Sequence, residues 1–141
     1  MRLRKFINEG RSKSITIEEA VEAIKNKCTD FIKNGSIVYR GVDDARDAAL
    51  IVSPANFVRK SRNTSNFYTL LMDNLPAWKK YPKRSKSIIC TTNRNYAEDM
   101  GESYRVFPFD GSKIGVCPED DLWASFGLDI SGLDIFNDCI G

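Results

Sequence analysis

The order of patterns in this chain predicts an α+β domain, and three observations carry that expectation. Apolar residues recur at helical spacing early on, behind a helix-start signature. Short β-branched and aromatic runs dominate later. Tight-turn residues join those runs, with no regular alternation of strand and helix that would build a doubly wound sheet. A length of 141 residues suits one domain, read as residues 15–141 behind a basic, polar leader at 1–14 that is flexible or processed.

The elements follow in order. Thr16-Ile17-Glu18-Glu19 is a capping box, in which the threonine hydroxyl accepts a backbone N–H and Glu19 reaches back to the cap. Ile17, Ala20, Val21, Ile24, Cys28, Phe31 and Ile32 then mark one amphipathic helix whose apolar stripe is core. Gly35 suits the left-handed position that ends it. Ile37-Val38-Tyr39 reads as a strand with Arg40 at its exit. Asp43 to Ala49 reads as one or two helical turns, and Ile51-Val52 is too short to assign. Phe57 to Thr69 begins as a polar loop. A helix starts near Ser65 or Asn66, shows Phe67, Leu70, Leu71 and Leu75 on one face, and stops at Pro76.

Pro76 to Lys86 is a basic, aromatic loop, and Ser87 to Cys90 a strand. Asn95 to Met100 is helical up to Gly101, and Tyr104 to Phe109 alternates as a strand. Asp110-Gly111 predicts a hairpin turn with Lys113 to Cys117 returning. A short helix fits Asp120 to Phe126, and the remainder to Gly141 is strand or loop.

Composition closes off several chemistries. The chain has no histidine, which removes Ser-His triads, Cys-His nucleophiles and His-ligated zinc. Its four cysteines, Cys28, Cys90, Cys117 and Cys139, form no C-x-x-C pair. They read as reduced, mostly packed thiols, and no metal is expected. A net charge of +2 is too mild to imply a polyanionic partner by itself. No apolar run reaches bilayer-spanning length, so no membrane partner is expected and the expected location is cytoplasmic.

Three short stretches remain: Val38-Tyr39-Arg40-Gly41, then Ile88-Ile89-Cys90-Thr91-Thr92-Asn93, then Glu119-Asp120-Asp121. In that order they resemble the arginine–serine–glutamate motifs of the ADP-ribosyltransferases. Tyr96 to Gly101 resembles the helix that follows the second motif in that family, and Tyr104 to Pro108 the next strand. The likeness runs from Ile37 to Phe126. It implies a split pair of small twisted β-sheets with an N-terminal amphipathic helix, and NAD⁺ as the substrate.

Cleaving the nicotinamide bond passes through an oxocarbenium-like ribosyl cation. Restraint and electrostatic stabilisation therefore matter more than a strong nucleophile. The resemblance gives Arg40 the oxyanion-holding role, for which a guanidinium is suited, with Tyr39 and Gly41 beside it. Thr91, Thr92 and Asn93 replace the family's serine-rich motif at the ribose pocket. Asp121 or Glu119 becomes the acid that steadies the cation, although Glu-x-Asp replaces the family's Glu-x-Glu.

Plainer readings stand beside each assignment. Arg40 also reads as a strand-end ion pair, Thr91 and Thr92 as β-formers, Asn93 as a helix cap, and the acids as favourable charges at a helix start. Ser61, Asn63, Thr64 and Asn66, beside Arg59, Lys60 and Arg62 and between the first two motifs, read as pocket-lining or phosphate-contacting residues, or as a hydrogen-bonded structural loop. The expected acceptor of ADP-ribose is a protein. Trp78 and Tyr81 among the basic residues of Lys79 to Lys86 suit a nucleic acid or an acidic surface, or a solvated loop whose aromatics anchor on the core. Phe6-Ile7-Asn8-Glu9-Gly10 resembles the leader of proteins packaged in the heads of large tailed phages, with the cut after Glu9. That implies a phage effector acting on host protein in the host cytoplasm, or packaged in the virion. The rival expectations are an inactive transferase-fold binding module and a structural head component.

Overall fold

The computed structural model describes residues 12–35, 37–43, 45–56, 58–59 and 67–118. The elements there are strand β1 (Lys13–Ile15), helices α1 (Ile17–Lys27) and α2 (Thr29–Asn34), strands β2 (Val38–Val42) and β3 (Ala49–Ile51), helices α3 (Phe67–Asn74) and α4 (Arg94–Glu98), and strand β4 (Glu102–Val106). Single 3₁₀ turns occur at Pro54–Asn56, Pro76–Trp78 and Arg84–Lys86. The strands form two antiparallel pairs, β1 with β3 and β2 with β4. This is a mixed α+β architecture with two small sheets.

The capping box forms as its residues dictate: the Glu19 N–H donates to Thr16 Oγ1 at 3.1 Å and the Thr16 N–H to Glu19 Oε2 at 2.8 Å. The expected single helix is two. The helical path breaks at Cys28 (φ −123°, ψ 32°), and a distant side chain restarts it. Asp110 Oδ1 accepts from the Asp30 N–H at 2.9 Å, and Asp110 Oδ2 from the Thr29 hydroxyl at 2.8 Å. An aspartate caps orphan N–H groups in this way whether or not it is local in sequence. Gly35 is extended (φ −89°, ψ 147°), not left-handed. The apolar stripe is only partly core, since Ile17 and Ile32 are each 52% exposed while Cys28 is fully buried.

Further differences cluster where pairing is non-local. Arg40 lies at the centre of β2, not at its exit, because the strand runs on to Val42. Among the described residues of Asp43 to Ala49 there is no helical turn; Ala49–Ile51 is instead a strand paired with Lys13–Ile15. Two of that partner's residues fall in the segment read as leader. Helix α3 is described over Phe67–Asn74, with Leu75 between it and the turn at Pro76; the expected start near Ser65 or Asn66 lies outside the described residues.

Ser87 to Cys90 is not a strand; the next residue, Thr91, makes an isolated bridge to Tyr39 of β2. Gly111 (φ 81°) turns the chain as expected, and the Ser112 N–H donates to the Phe109 carbonyl at 2.9 Å. Lys113 to Cys117 does not return along β4. With Asp110 held on α2, the chain leaves toward the basic loop, where Lys113 Nζ donates to the Lys79 carbonyl at 3.2 Å.

Among the described residues the buried side chains are Cys28, Met72, Ala97, Thr69 and Ser85. Cys28, Cys90 and Cys117 are free thiols, and burial pushes the Cys28 and Cys90 thiols up. No described helix is long and apolar enough to cross a membrane. The predicted helix near Asp120, Cys139 and Glu9 lie outside the described residues.

Candidate functional site

Strand β2 is flanked on both sides. Its ladder with β4 pairs Tyr39 with Arg105 and Arg40 with Tyr104. On the opposite side the Tyr39 N–H donates to the Thr91 carbonyl at 2.7 Å, and the Thr91 N–H returns a bond to the Tyr39 carbonyl at 2.9 Å. The first two sequence motifs, far apart along the chain, therefore lie side by side. Arg40 reinforces the join: its Nη1 donates to the Ile89 carbonyl at 2.8 Å.

The hydroxyl-rich motif makes local bonds. Thr91 Oγ1 accepts from the Asn93 N–H at 3.1 Å, and Asn93 Oδ1 accepts from the Asn95 N–H at 3.0 Å, capping α4. Both are short side-chain-to-backbone turns of the kind threonine and asparagine favour. Thr92 is exposed at the bend between them. Gly41 answers a packing need. A Cβ there would run into the Ala97 carbonyl and lie 2.8 Å from the Met100 Cβ. The close approach it permits is by helix α4 and the turn after it.

The remaining predicted site residues, Glu119, Asp121, Ser61, Asn63, Thr64 and Asn66, lie outside the described residues. Among the described residues no three of Cys, Asp and Glu gather as a metal-holding group. Two hollows are described, and neither is lined by Arg40 or Thr91. One, of about 410 Å³, lies along α1 between Ile17 and Asn26. The other, of about 310 Å³, is lined by residues including Met72, Pro76, Trp78, Tyr81 and Lys83. Beside it the Trp78 and Tyr81 rings meet at 5.3 Å between centroids.

The structure adds a group that the sequence reading left in the basic loop. Arg84, in the 3₁₀ turn, is half-buried, and its Nε and Nη1 are covered and without a hydrogen-bond partner. Next to it, the Ser85 carbonyl accepts from the Arg59 N–H at 2.7 Å, and Asp73 Oδ1 accepts from the Ser85 N–H at 3.2 Å. Burial lowers the Arg84 pKa from its usual value and the charge of Arg40 lowers it further, with Asp73 opposing. A signal for Arg84 did exist: it is the one arginine in a loop otherwise charged by lysines, and guanidinium tolerates burial better than ammonium.

The chain matches no protein-family model, and neither curated proteins nor solved structures match it.

Proposed function

We propose that this chain is an NAD⁺-binding domain of the ADP-ribosyltransferase kind, holding its substrate over the surface that β2 and the 88–93 segment form together. In this reading it transfers ADP-ribose to a macromolecular acceptor, a host protein if the source is a phage. The supporting observation is the two-bond bridge between Tyr39 and Thr91, which sets an arginine-bearing strand beside a hydroxyl-bearing segment. That is the juxtaposition an oxyanion clamp and a ribose pocket require.

Arg40 fixes the diphosphate end, its guanidinium oriented by the Ile89 carbonyl. Thr91 and the exposed Thr92 hydroxyl border the ribose, and Asp121 or Glu119 steadies the cation as nicotinamide leaves. The work required is orientation and electrostatic stabilisation, and none of it calls for an imidazole.

The test is release of nicotinamide from NAD⁺, together with transfer of label from NAD⁺ to protein in a bacterial lysate. Wild type turns over. Asp121→Asn or Glu119→Gln, whichever removes the working acid, lowers turnover by about 10²–10³-fold, the scale on which a preorganised electrostatic group acts. Absence of nicotinamide release by the wild-type protein defeats the enzymatic reading.

A second reading, a binding module of the same fold, is favoured by one observation: Thr91 Oγ1 and Asn93 Oδ1 both accept from nearby backbone. It predicts that ADP-ribose is bound and NAD⁺ is left intact.

A further inference from the structure

We infer that the hollow beside Trp78 and Tyr81 takes one base of a single-stranded nucleic acid, with the lysines around it on the flanking phosphates. Its volume of about 310 Å³ is at the small end of ligand pockets, which run from about 300 to about 1,000 Å³. A flat ring fits such a space and a folded chain does not.

The aromatic wall is built by tight turns. The Trp78 N–H donates to the Leu75 carbonyl at 3.0 Å, and the Tyr81 N–H to the Trp78 carbonyl at 2.9 Å. The two rings therefore meet at 5.3 Å between centroids, tilted by 52°. A distant stretch backs Tyr81: a Cβ on Gly115 would lie 3.4 Å from its Cδ1. Lys113 Nζ ties that stretch to the Lys79 carbonyl at 3.2 Å. Held in this way, Tyr81 still leaves 47% of its surface exposed. A ring fixed beforehand loses little freedom when a base stacks on it, and stacking is how single strands are gripped.

Charge points to the same ligand. Four lysines, Lys79, Lys80, Lys83 and Lys86, fall within residues 79–86 with no acid among them, in a chain of net charge +2. Lys79 and Lys83 line the hollow and are exposed. Among the described residues no carboxylate forms an ion pair with any of the four. The other polar groups lining the hollow offer acceptors. Asp73 is partly buried and gives Oδ1 to the Ser85 N–H. Asn74 already uses Nδ2 on the Leu70 carbonyl at 2.8 Å. A carboxylate in the lining repels an acidic side chain but accepts from the N–H edge of a base. Ammonium groups at the exposed margin meet phosphate. A duplex keeps its base faces stacked, so the single strand is the form that enters.

The experiment follows the fluorescence anisotropy of a labelled single-stranded DNA of about 12 nucleotides, within the span such sites cover. The full chain is titrated over a series of salt concentrations, with a duplex of equal length and polyglutamate as competitors. Wild type binds the strand, and its affinity falls with salt. Tyr81→Ala binds about tenfold more weakly or worse, the scale of one stacked base, while Tyr81→Phe keeps the ring and binds as wild type. Lys83→Gln reduces the salt slope by about one, and Lys25→Gln, on exposed α1, leaves it unchanged.

Absence of binding at low salt overturns the inference, as does a duplex or polyglutamate that competes as well as the unlabelled strand. An unchanged affinity in folded Tyr81→Ala, or an unchanged salt slope in Lys83→Gln, also overturns it. Lys83→Gln alters an exposed side chain, so it decides the matter where Tyr81→Ala does not fold. The hollow is lined by neither Arg40 nor Thr91, and strand binding is therefore read independently of nicotinamide release.

Discussion

Arg40 has one observed contact and one proposed role, which a mutation to alanine would confound. Its Nη1 bond to the Ile89 carbonyl joins two segments of backbone, and the proposed role holds an oxyanion. Activity lost in Arg40→Ala would therefore reflect both.

Gly41 is simpler. With the Ala97 carbonyl and Met100 against the place a Cβ would occupy, Gly41→Ala forces β2 and α4 apart. We expect a loss of about 1–3 kcal/mol, the usual cost of overpacking, read as a lower thermal midpoint with a folded spectrum retained at low temperature. The glycine was visible in the sequence, but its reason was not. A Tyr-Arg-Gly run looks the same whether a ligand or a helix approaches the backbone. Asn93 was legible in its plainer reading, because asparagine before a helix carries its cap locally.

At the scale of elements, local signals were legible and distant ones were not. The Thr16–Glu19 box is written within four adjacent residues and forms as read. The break at Cys28 has a partner 80 residues away, Asp110, and no periodicity near Cys28 reveals it. The same tether explains the failed hairpin after Asp110: the turn itself is local and forms, while the path beyond it is decided by α2.

That tether has a pH signature. The Asp30 N–H bond, then the Thr29 hydroxyl bond, hold the Asp110 carboxyl below the usual aspartate range. A depressed folded pKa contributes stability above the unfolded value of about 3.9. The contribution is lost as pH falls through the lower folded value. Asp110→Asn should therefore be less stable than wild type at neutral pH, and the gap should narrow steadily below about pH 4. Denaturant midpoints across that range check it; a constant gap would mean the carboxylate's charge is irrelevant to the clasp.

For the whole molecule, the fold class was legible and the strand partners were not. Counting helices and short strands suffices for α+β. Pairing Lys13–Ile15 with Ala49–Ile51 requires knowing which polar edges meet, and three-residue strands carry too little pattern to say. The described core is also slender. Met72, at 7% exposure, is a large apolar side chain within it, whereas Leu70 is 55% exposed and Val116 81%. Met72→Ala should cost about 2–5 kcal/mol, a large share of a small domain's stability. Equilibrium unfolding checks this; a change below about 1 kcal/mol would show that the site collapses around the smaller side chain.

The clasp between Asp110 and the start of α2 also bears on how the chain is made. Its two halves lie 80 residues apart, so at a synthesis rate of ~5–20 residues per second the first half waits roughly 4–16 s for the second. For more than half of that delay β2 has been made without β4 or Thr91 beside it, an open edge on a nascent polypeptide. Ribosome-associated chaperones, rather than the early sequence itself, would then decide whether this strand stays solitary until its late-arriving neighbours are translated.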